Sequence, residues 1–210
     1  MRSVLLQLGP FTVYSYGLML AVGVMAAMAV IRPRAAAVGL GEERLFNLAA
    51  AVFAAALAGA RLTWLILAGE RVGSLFQSGH GGLSFFGGLA FGAIVLFALA
   101  GHWHLAASDL TDAVVPGLAI GEALARLGCD IFGKPTAGWW AIGHGGATVH
   151  PVQLYSFALN LGIYLILTVF RPRHAGQVGA VYLVALGITR FLLEFFREGA
   201  TIAGPFTWGH

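Results

Sequence analysis

The stretch GEALARLGCDIFG, residues 121–133, places three ionisable side chains in a run that is otherwise apolar. The length and composition of that run predict a membrane-spanning helix over residues 110–132. Glu122, Arg126 and Asp130 follow one another at intervals of four residues, which on a helix puts all three on one face. Ionisable groups at membrane depth cost about 2.5–3.5 kcal/mol each and normally face the protein interior or a wet cavity. The stretch therefore predicts either a functional site or an ion triad that locks two helices together.

The composition of the whole chain indicates an integral membrane protein. Of its 210 residues 59% are hydrophobic and 10% are charged, whereas a soluble domain carries about 25% charged residues. Thirty glycines fit close packing between membrane helices. The net charge of +3 comes without a basic run, so nucleic acid is not indicated as a partner. The single Cys129 excludes an internal disulfide and a cysteine-rich metal site.

Six apolar segments predict the fold class, an all-α polytopic transmembrane helical bundle. Each segment is close to the roughly 20 residues that a helix needs to cross the hydrocarbon core. The alternation expected of barrel strands is absent, and helices satisfy their backbone groups within the segment. We therefore expect one integral-membrane domain over residues 1–210, with a retained first span. The predicted spans are residues 11–31, 45–67, 83–105, 110–132, 151–170 and 179–196.

The positive charges of the loops predict the orientation of the bundle in the membrane. One side of the membrane receives the basic residues after the first and fifth spans, namely Arg32, Arg34, Arg44, Arg171 and Arg173. The opposite side receives a smaller set, namely Arg2, Arg71, Lys134 and Arg197. The difference predicts that the N-terminus lies outside and that the first and fifth loops are cytoplasmic.

Three arginines are predicted at membrane depth, in different spans: Arg61, Arg126 and Arg190. Arg190 begins a second series of alternating charges that continues with Glu194 and Arg197. A guanidinium stays charged and offers a planar fork of donors that fits phosphate, and a phospholipid headgroup is the natural anion at this depth. Arg61 has a second interpretation, in which it lies near a span end and extends its charge to the membrane surface.

Polar residues gather at the predicted starts of several spans. Pro151 suits the first helical position of the fifth span, where its missing N–H costs nothing. A helix N-terminus favours anions, so polar side chains beside it are candidates for substrate binding. The residues concerned are Tyr14, Ser15 and Tyr16 in the first span, Asp112 in the fourth, and His150, Gln153 and Tyr155 in the fifth. Tyr16 is either a hydrogen-bond donor to substrate or a tyrosine of the aromatic belt.

The stretch HGGLSFFGG, residues 80–88, holds four glycines in nine residues. Such a run predicts a tight turn with close backbone approach, which would offer N–H groups to an oxyanion. His80 is the candidate proton acceptor, because histidine titrates near neutral pH. Its alternative is a solvated loop histidine.

Other chemistries fit the sequence less well. A metalloprotease motif HExxH and the serine-hydrolase elbow GxSxG are both missing. His102 and His104 form an HxH pair, but a third ligand does not follow nearby, so no metal is predicted.

An ordered set of motifs resembles the bacterial prolipoprotein diacylglyceryl transferases over about residues 14–198. HPVQLY and RFLLEFFRE, in that order and with ARLG before them, are quite specific. The motifs are YGLML at Tyr16, LAGARL at Arg61, GGLSFFGG from Gly81, Asp112, ARLG at Arg126, GKPT at Gly133, HPVQLY at His150 and RFLLEFFRE at Arg190.

The resemblance implies a reaction at the outer face of the bacterial cytoplasmic membrane. Family members move the diacylglyceryl group of phosphatidylglycerol to the thiol of a lipobox cysteine in a prolipoprotein. They form a thioether and release glycerol phosphate. The implied partners are therefore phosphatidylglycerol and prolipoprotein lipobox segments, and neither a metal nor a soluble cofactor is implied.

The resemblance also assigns roles to residues. Arg126 matches the family's phosphatidylglycerol-binding arginine, and Arg190 matches its essential arginine on the penultimate helix. Together with the chemistry above, the candidate catalytic residues are Arg126, Arg190, Tyr16 and His80. The candidate phosphatidylglycerol-binding residues are Arg126, Arg190, Arg61, Gly133, His150, Gln153, Tyr155, Glu194 and Arg197.

The chain departs from the family pattern at several positions. Phe86 stands where members commonly carry the histidine proposed as the base, and Cys129 stands where an asparagine is usual. The segment after Gly128 is shortened, and the chain stops at GPFTWGH, where a seventh span would normally begin. These departures leave two alternatives to an active transferase. One is a lipid-binding relative with weak or altered activity, and the other is an anion or lipid transporter.

Overall fold

The computed structural model describes residues 4–8, 11–69, 82–197, 201–203 and 206–207. Within these ranges six helices dominate, so the predicted all-α polytopic bundle is confirmed. Five of the six are long and apolar enough to cross a membrane, and α4 falls outside that group because it carries four ionisable side chains. The helices are α1 Ser15–Ala37, α2 Glu42–Ala68, α3 Phe85–His102, α4 Ala107–Leu127, α5 Val152–Val169 and α6 Gln177–Glu194.

Three short antiparallel hairpins accompany the helices in the described ranges. The first corrects the predicted start of span one, because residues 11–14 pair with the preceding strand and the helix begins at Ser15. The strands are β1 Val4–Leu8 with β2 Phe11–Tyr14, β3 Ile142–His144 with β4 Ala147–Val149, and β5 Thr201–Ala203 with β6 Phe206–Thr207.

The chain divides into two compact units, one formed by Met1–Pro33 with Thr111–His210 and the other by Arg34–Leu110. The single integral-membrane domain over residues 1–210 stays a prediction.

The unit Arg34–Leu110 is built on the antiparallel pair of α2 and α3. Ser84 caps α3 by accepting a hydrogen bond from the Gly87 N–H at 3.4 Å. Gly87 lies in the first turn of α3 against the Thr63 side chain, where a Cβ would overlap the threonine. The expected tight turn over these glycines was therefore wrong for the described residues 82–88, because Gly87 and Gly88 are helical. They let two membrane helices approach closely, as small residues do in bilayers.

The other unit has its apolar core between α4, α5 and α6. Val115 and Ala119 of α4 meet Ile163 of α5 and Tyr182 of α6 in one buried cluster. The buried residues of α5 recur at helical spacing, so one stripe of this helix faces the core, and that stripe includes Ser156 and Asn160.

Asp112 ties α4 to the start of α6. Its two carboxylate oxygens accept hydrogen bonds from the Gly176 and Gly179 N–H groups, both at 2.8 Å. These donors belong to a helix N-terminus, where a carboxylate is stabilising. The placement of Asp112 at the start of the fourth span was wrong, because α4 begins five residues earlier, at Ala107. Its described role is to cap a neighbouring helix.

The predicted fourth span over residues 110–132 is too long at its C-terminal end, because α4 ends at Leu127. Asp130 lies beyond the helix and is exposed, so it does not share a helical face with Glu122 and Arg126. The predicted triad with Asp130 is therefore wrong. The second, third, fifth and sixth predicted spans agree with their helices to within three residues, whereas α1 continues six residues beyond the predicted end of the first span.

Candidate functional site

A single carboxylate oxygen joins the two arginines that the sequence singled out. Glu122 Oε1 lies 2.8 Å from Arg126 Nη2 and 3.2 Å from Arg190 Nη2. The three side chains are 20%, 19% and 32% exposed, respectively, so they are largely removed from solvent. Charge-assisted hydrogen bonds of this kind are stronger than neutral ones. The structure thus brings Arg126 and Arg190 together, with Glu122 holding both.

The geometry follows from where the helices end. Arg126 lies in the last turn of α4, and Arg190 lies one turn before the end of α6. A helix C-terminus carries partial negative charge, which favours a cation there. Glu122 precedes Arg126 by four residues, the spacing at which a glutamate and an arginine meet on one face. Each guanidinium carries five N–H groups, so Arg126 and Arg190 can each bond to more than one acceptor.

Close packing at Gly128 places Tyr16 beside the end of α4. A Cβ on Gly128 would lie 2.7 Å from the Ser15 carbonyl oxygen and 2.8 Å from the Tyr16 Cα. The Ser15 hydroxyl lies 3.5 Å from the Gly128 carbonyl oxygen. The N-terminus of α1 therefore packs on Gly128, the residue that follows α4, two positions after Arg126. Tyr16 itself is exposed.

Glu194 and Arg197 form a second ion pair at the end of α6. Arg197 Nη1 lies 3.2 Å from Glu194 Oε2, and Glu194 is buried. Arg197 also pairs through its backbone with Gly133 in a single antiparallel bridge. Within the predicted series Arg190, Glu194 and Arg197, the last two residues form an ion pair. Arg190 bonds instead to Glu122, on another helix.

Gly133 lies between two chain segments. Its N–H donates to the His150 carbonyl at 2.9 Å, and the N–H of the next residue, Lys134, donates to the Phe196 carbonyl at 2.9 Å. A Cβ on Gly133 would overlap the Phe196 carbonyl oxygen and approach the Val152 side chain at 2.7 Å. Gly133 therefore has a packing role in the structure, and its predicted role in lipid binding stays a prediction.

His150 and Tyr155 meet as neighbours at the start of α5. His150 Nδ1 and the Tyr155 hydroxyl oxygen are 3.1 Å apart, and the Phe196 ring packs edge-on against both residues. Pro151 is the N-cap residue of α5, one position before the predicted one. The predicted grouping of polar residues around this helix start is therefore present. Its contribution to substrate binding stays a prediction.

Two buried carbonyl oxygens among the described residues have no hydrogen-bond partner, Gln153 Oε1 and Asn160 Oδ1. Both residues lie on α5, and Asn160 is 2% exposed. Gln153 also donates its backbone N–H to the Ile131 carbonyl at 3.2 Å, which attaches α5 to the loop after α4. Sequence reasoning missed Asn160, because one asparagine in an apolar span gives no signal of its surroundings.

Cys129 lies just after α4, beside the ion pairs. Its thiol lies 3.5 Å from the Ala125 carbonyl oxygen. Burial raises the pKa of the Cys129 thiol above its ordinary value, and the Arg126 guanidinium opposes this by favouring the thiolate. The net effect keeps the thiol protonated at neutral pH.

The remaining predicted residues belong to the unit Arg34–Leu110 or lie outside the described ranges. Arg61 Nη1 donates to the Gly82 carbonyl at 3.4 Å, and its guanidinium carbon lies 5.0 Å from the centre of the Trp64 ring. That distance is typical of a cation–π contact. Phe86, at the position where the resemblance leads one to expect a histidine, is 70% exposed at the start of α3. His80 lies outside the described residues.

Comparison with known proteins gives a consistent result. Residues 3–210 match the family model of prolipoprotein diacylglyceryl transferase. The chain is similar to the phosphatidylglycerol–prolipoprotein diacylglyceryl transferase of Chromohalobacter salexigens, with 32% identity over 211 residues, covering 93% of this chain and 79% of the relative. It is also similar to the Photobacterium profundum protein of the same name, with 32% identity over 221 residues, covering 97% and 83%. A Clostridium perfringens relative, phosphatidylglycerol–prolipoprotein diacylglyceryl transferase 2, is 27% identical over 217 residues, covering 94% and 84%.

The family match extends over nearly the whole chain, and the motifs that suggested the resemblance include both arginines held by Glu122. The chain belongs to the prolipoprotein diacylglyceryl transferase family.

Proposed function

We propose that this protein is a membrane transferase that moves the diacylglyceryl group of phosphatidylglycerol to the lipobox cysteine thiol of prolipoproteins. Membership of the family supports the reaction, and the names of the relatives supply the two substrates. The five apolar helices support a multi-pass membrane protein, so both substrates would reach the site from the bilayer. Neither a cofactor nor nucleic acid takes part in the proposed reaction.

The observation that carries the proposal is the meeting of Arg126 and Arg190 at Glu122. Two guanidiniums from separate helices provide planar forks of donors in a largely buried setting, which suits a phosphate group. Glu122 Oε1 is shared by two arginines, so these three side chains together carry one more positive than negative charge. That excess of positive charge favours an anion.

The arrangement fits the chemistry of the transfer. The cysteine sulfur must lose its proton, because the thiolate is the nucleophile. The sulfur then attacks the glyceryl carbon that bears the phosphate, the carbon–oxygen bond breaks, and the bonding electrons stay on the phosphate oxygen. Negative charge grows on the phosphate as the bond breaks. Donors fixed in a water-poor site stabilise such charge more strongly than water does, and this is the role proposed for Arg126 and Arg190.

The proposed location is the bacterial cytoplasmic membrane, with the N-terminus and the site toward the outer face. The positive charges near the end of α1, at the start of α2 and in the loop after α5 support this orientation. Arg32, Arg34 and Arg44, which were predicted in a loop, lie within α1 and α2. The loop between Gly133 and His150 carries the exposed Trp139 and Trp140. Tryptophan is enriched at the membrane–water interface, so these rings mark a depth near the headgroups.

A second candidate, a relative with weak transferase activity, is favoured by Phe86. A phenyl ring cannot accept the thiol proton, and Phe86 occupies the position where family members commonly carry a histidine. If this loss limits the rate, Phe86→His raises transfer by about 100-fold or more, in line with the usual contribution of general base catalysis. Phe85→His, at the neighbouring position, is the matched control and leaves the rate low.

The decisive assay uses the full chain in proteoliposomes that contain phosphatidylglycerol and a synthetic lipobox peptide. Mass spectrometry is expected to find one diacylglyceryl group added to the peptide cysteine, with release of glycerol phosphate. A peptide with serine in place of the cysteine, and vesicles with phosphatidylethanolamine in place of phosphatidylglycerol, are the two controls. Absence of the thioether under these conditions, with the protein folded, would overturn the proposed function.

A further inference from the structure

Glu122 neutralises one of the two positive charges that Arg126 and Arg190 bring together. Arg126 and Arg190 contribute two positive charges and Glu122 contributes one negative charge, which leaves a formal charge of +1. Arg197 also acts electrostatically on Arg190, but Glu194 offsets its charge at 3.2 Å. Lys134 donates its Nζ to the Phe195 carbonyl at 3.0 Å.

The proposed reaction changes the charge of the bound phosphate. Phosphatidylglycerol is a phosphodiester and carries one negative charge, whereas glycerol phosphate is a monoester whose second proton leaves near pH 6. A thiolate and a monoanionic diester therefore become a neutral thioether and a dianionic monoester, so the total charge of –2 is conserved. Without the negative charge of Glu122, the site would hold the dianionic product more tightly relative to the monoanionic substrate.

From this match we propose that Glu122 is a positioning and specificity-determining residue, which favours the monoanionic phosphodiester and speeds release of the dianionic monoester. The inference rests on the proposed function. Glu122 does two things in this account. It holds Arg126 and Arg190 in place through Oε1, and its negative charge lowers the affinity of the site for a second phosphate charge. This role could not be predicted from sequence spacing, because Arg190 lies 68 residues away along the chain.

The charge of Glu122 should affect the binding of a dianion and of a monoanion in a fixed ratio. The interaction energy of a fixed charge with a ligand is proportional to the charge of the ligand. Removing the Glu122 charge must therefore strengthen binding of a dianion by about twice the free energy gained by a monoanion. If the affinity for a monoanion rises about threefold, the affinity for a dianion rises about tenfold. A purely structural role for Glu122 predicts no such relation between the two ligands.

The test uses Glu122→Gln, which keeps the size of the side chain and one carbonyl acceptor for the arginines. Two soluble probes compete with labelled phosphatidylglycerol for the full chain in nanodiscs: glycerol phosphate, the dianion, and glycerophosphoglycerol, the monoanionic diester. We expect the inhibition constant of glycerol phosphate to fall about tenfold and that of glycerophosphoglycerol about threefold. In the transfer assay, the first turnover stays fast and later turnovers slow, because product leaves slowly.

Asp130→Asn is the matched control, since it removes the same charge from an exposed residue near the end of α4. Neither inhibition constant should change more than about twofold in that variant. Equal changes for the two probes in Glu122→Gln, or weaker binding of both, would overturn the proposal.

The unaltered protein keeps the proposal testable if Glu122→Gln does not fold. Glycerol phosphate should then bind the wild type no more than about tenfold more tightly than glycerophosphoglycerol, despite its second charge. A much stronger preference for the dianion contradicts the proposed role of the Glu122 charge.

The displacement assay needs no turnover, so its outcome is separate from that of the transfer assay. A missing thioether would count against the proposed function, and unresponsive inhibition constants would count against the role of Glu122.

Discussion

Glu122 Oε1 accepts hydrogen bonds from Arg126 at 2.8 Å and from Arg190 at 3.2 Å, so one oxygen atom links two helices through their arginines. This contact converts two isolated charges in apolar segments into one largely buried group with a formal positive charge. Breaking a buried ion pair by removing one partner commonly costs 3–5 kcal/mol, because a charge is left uncompensated. The same group therefore links α4 to α6, and in the proposed function it binds the phosphate.

Asp112 is expected to support the fold without contacting substrate. Its carboxylate accepts two N–H groups from the start of α6, so Asp112→Ala should lower the free energy of unfolding by about 2–3 kcal/mol and Asp112→Asn by about 1–2 kcal/mol. Denaturant unfolding of the purified protein in detergent micelles measures the change. Asp130→Asn, at an exposed carboxylate, should stay within about 0.5 kcal/mol of wild type. Equal effects of the two asparagine variants would contradict the capping role.

Gly133 tests whether backbone packing holds the loop after α4. Gly133→Ala places a Cβ against the Phe196 carbonyl oxygen, and overpacking of this kind costs about 1–3 kcal/mol. A Cβ on Gly143, in β3, meets nothing within 4 Å, so Gly143→Ala is the matched control and should change stability by less than about 0.5 kcal/mol. The comparison is made by thermal unfolding of both variants. If Gly133→Ala were as stable as the wild type, the backbone at the Gly133–Arg197 bridge would be able to accommodate a Cβ.

Cys129 provides a pH-dependent signal near Arg126. Burial raises the pKa of this thiol, so alkylation by iodoacetamide should be slower than for the unfolded chain near pH 8 and should speed up as the pH rises. The sign for stability follows. A group whose pKa is higher in the folded state contributes stability below its unfolded pKa of about 8.5 and loses it as the pH rises further. Arg126→Ala removes the charge that favours the thiolate, so alkylation should become slower still. Faster alkylation in that variant would contradict the effect of the Arg126 charge on the Cys129 thiol.

The membrane helices and the contact between Glu122 and Arg126 could be predicted from the sequence. Apolar length predicted the membrane helices, and the spacing of four residues predicted that Glu122 and Arg126 meet. The bond from Arg190 to Glu122 was beyond reach, because it depends on how α4 and α6 are placed against each other. The choice of Asp130 as a partner failed because hydropathy continues past Leu127 while the helix does not.

Two other differences have similar physical causes. Residues 11–14 are apolar enough to extend a span, yet they pair with β1, and hydropathy cannot distinguish a strand from a helix turn over four residues. The glycines at 87 and 88 were read as a turn, although the α2 surface requires them as small contacts. In each case a neighbouring segment decided the local structure.

If Arg126 and Arg190 hold the same phosphate, as proposed, their effects on the transfer rate are coupled, and a double-mutant cycle measures that coupling. In proteoliposomes with phosphatidylglycerol and a lipobox peptide, Arg126→Ala and Arg190→Ala should each lower kcat/KM by about 100-fold or more. The double variant should be far less impaired than the product of the two effects, because both side chains serve one charge. Arg173→Ala, in the exposed loop after α5, should retain the full rate. Full transfer by Arg126→Ala, or independent multiplicative losses in the double variant, would show that the two arginines do not bind one phosphate together.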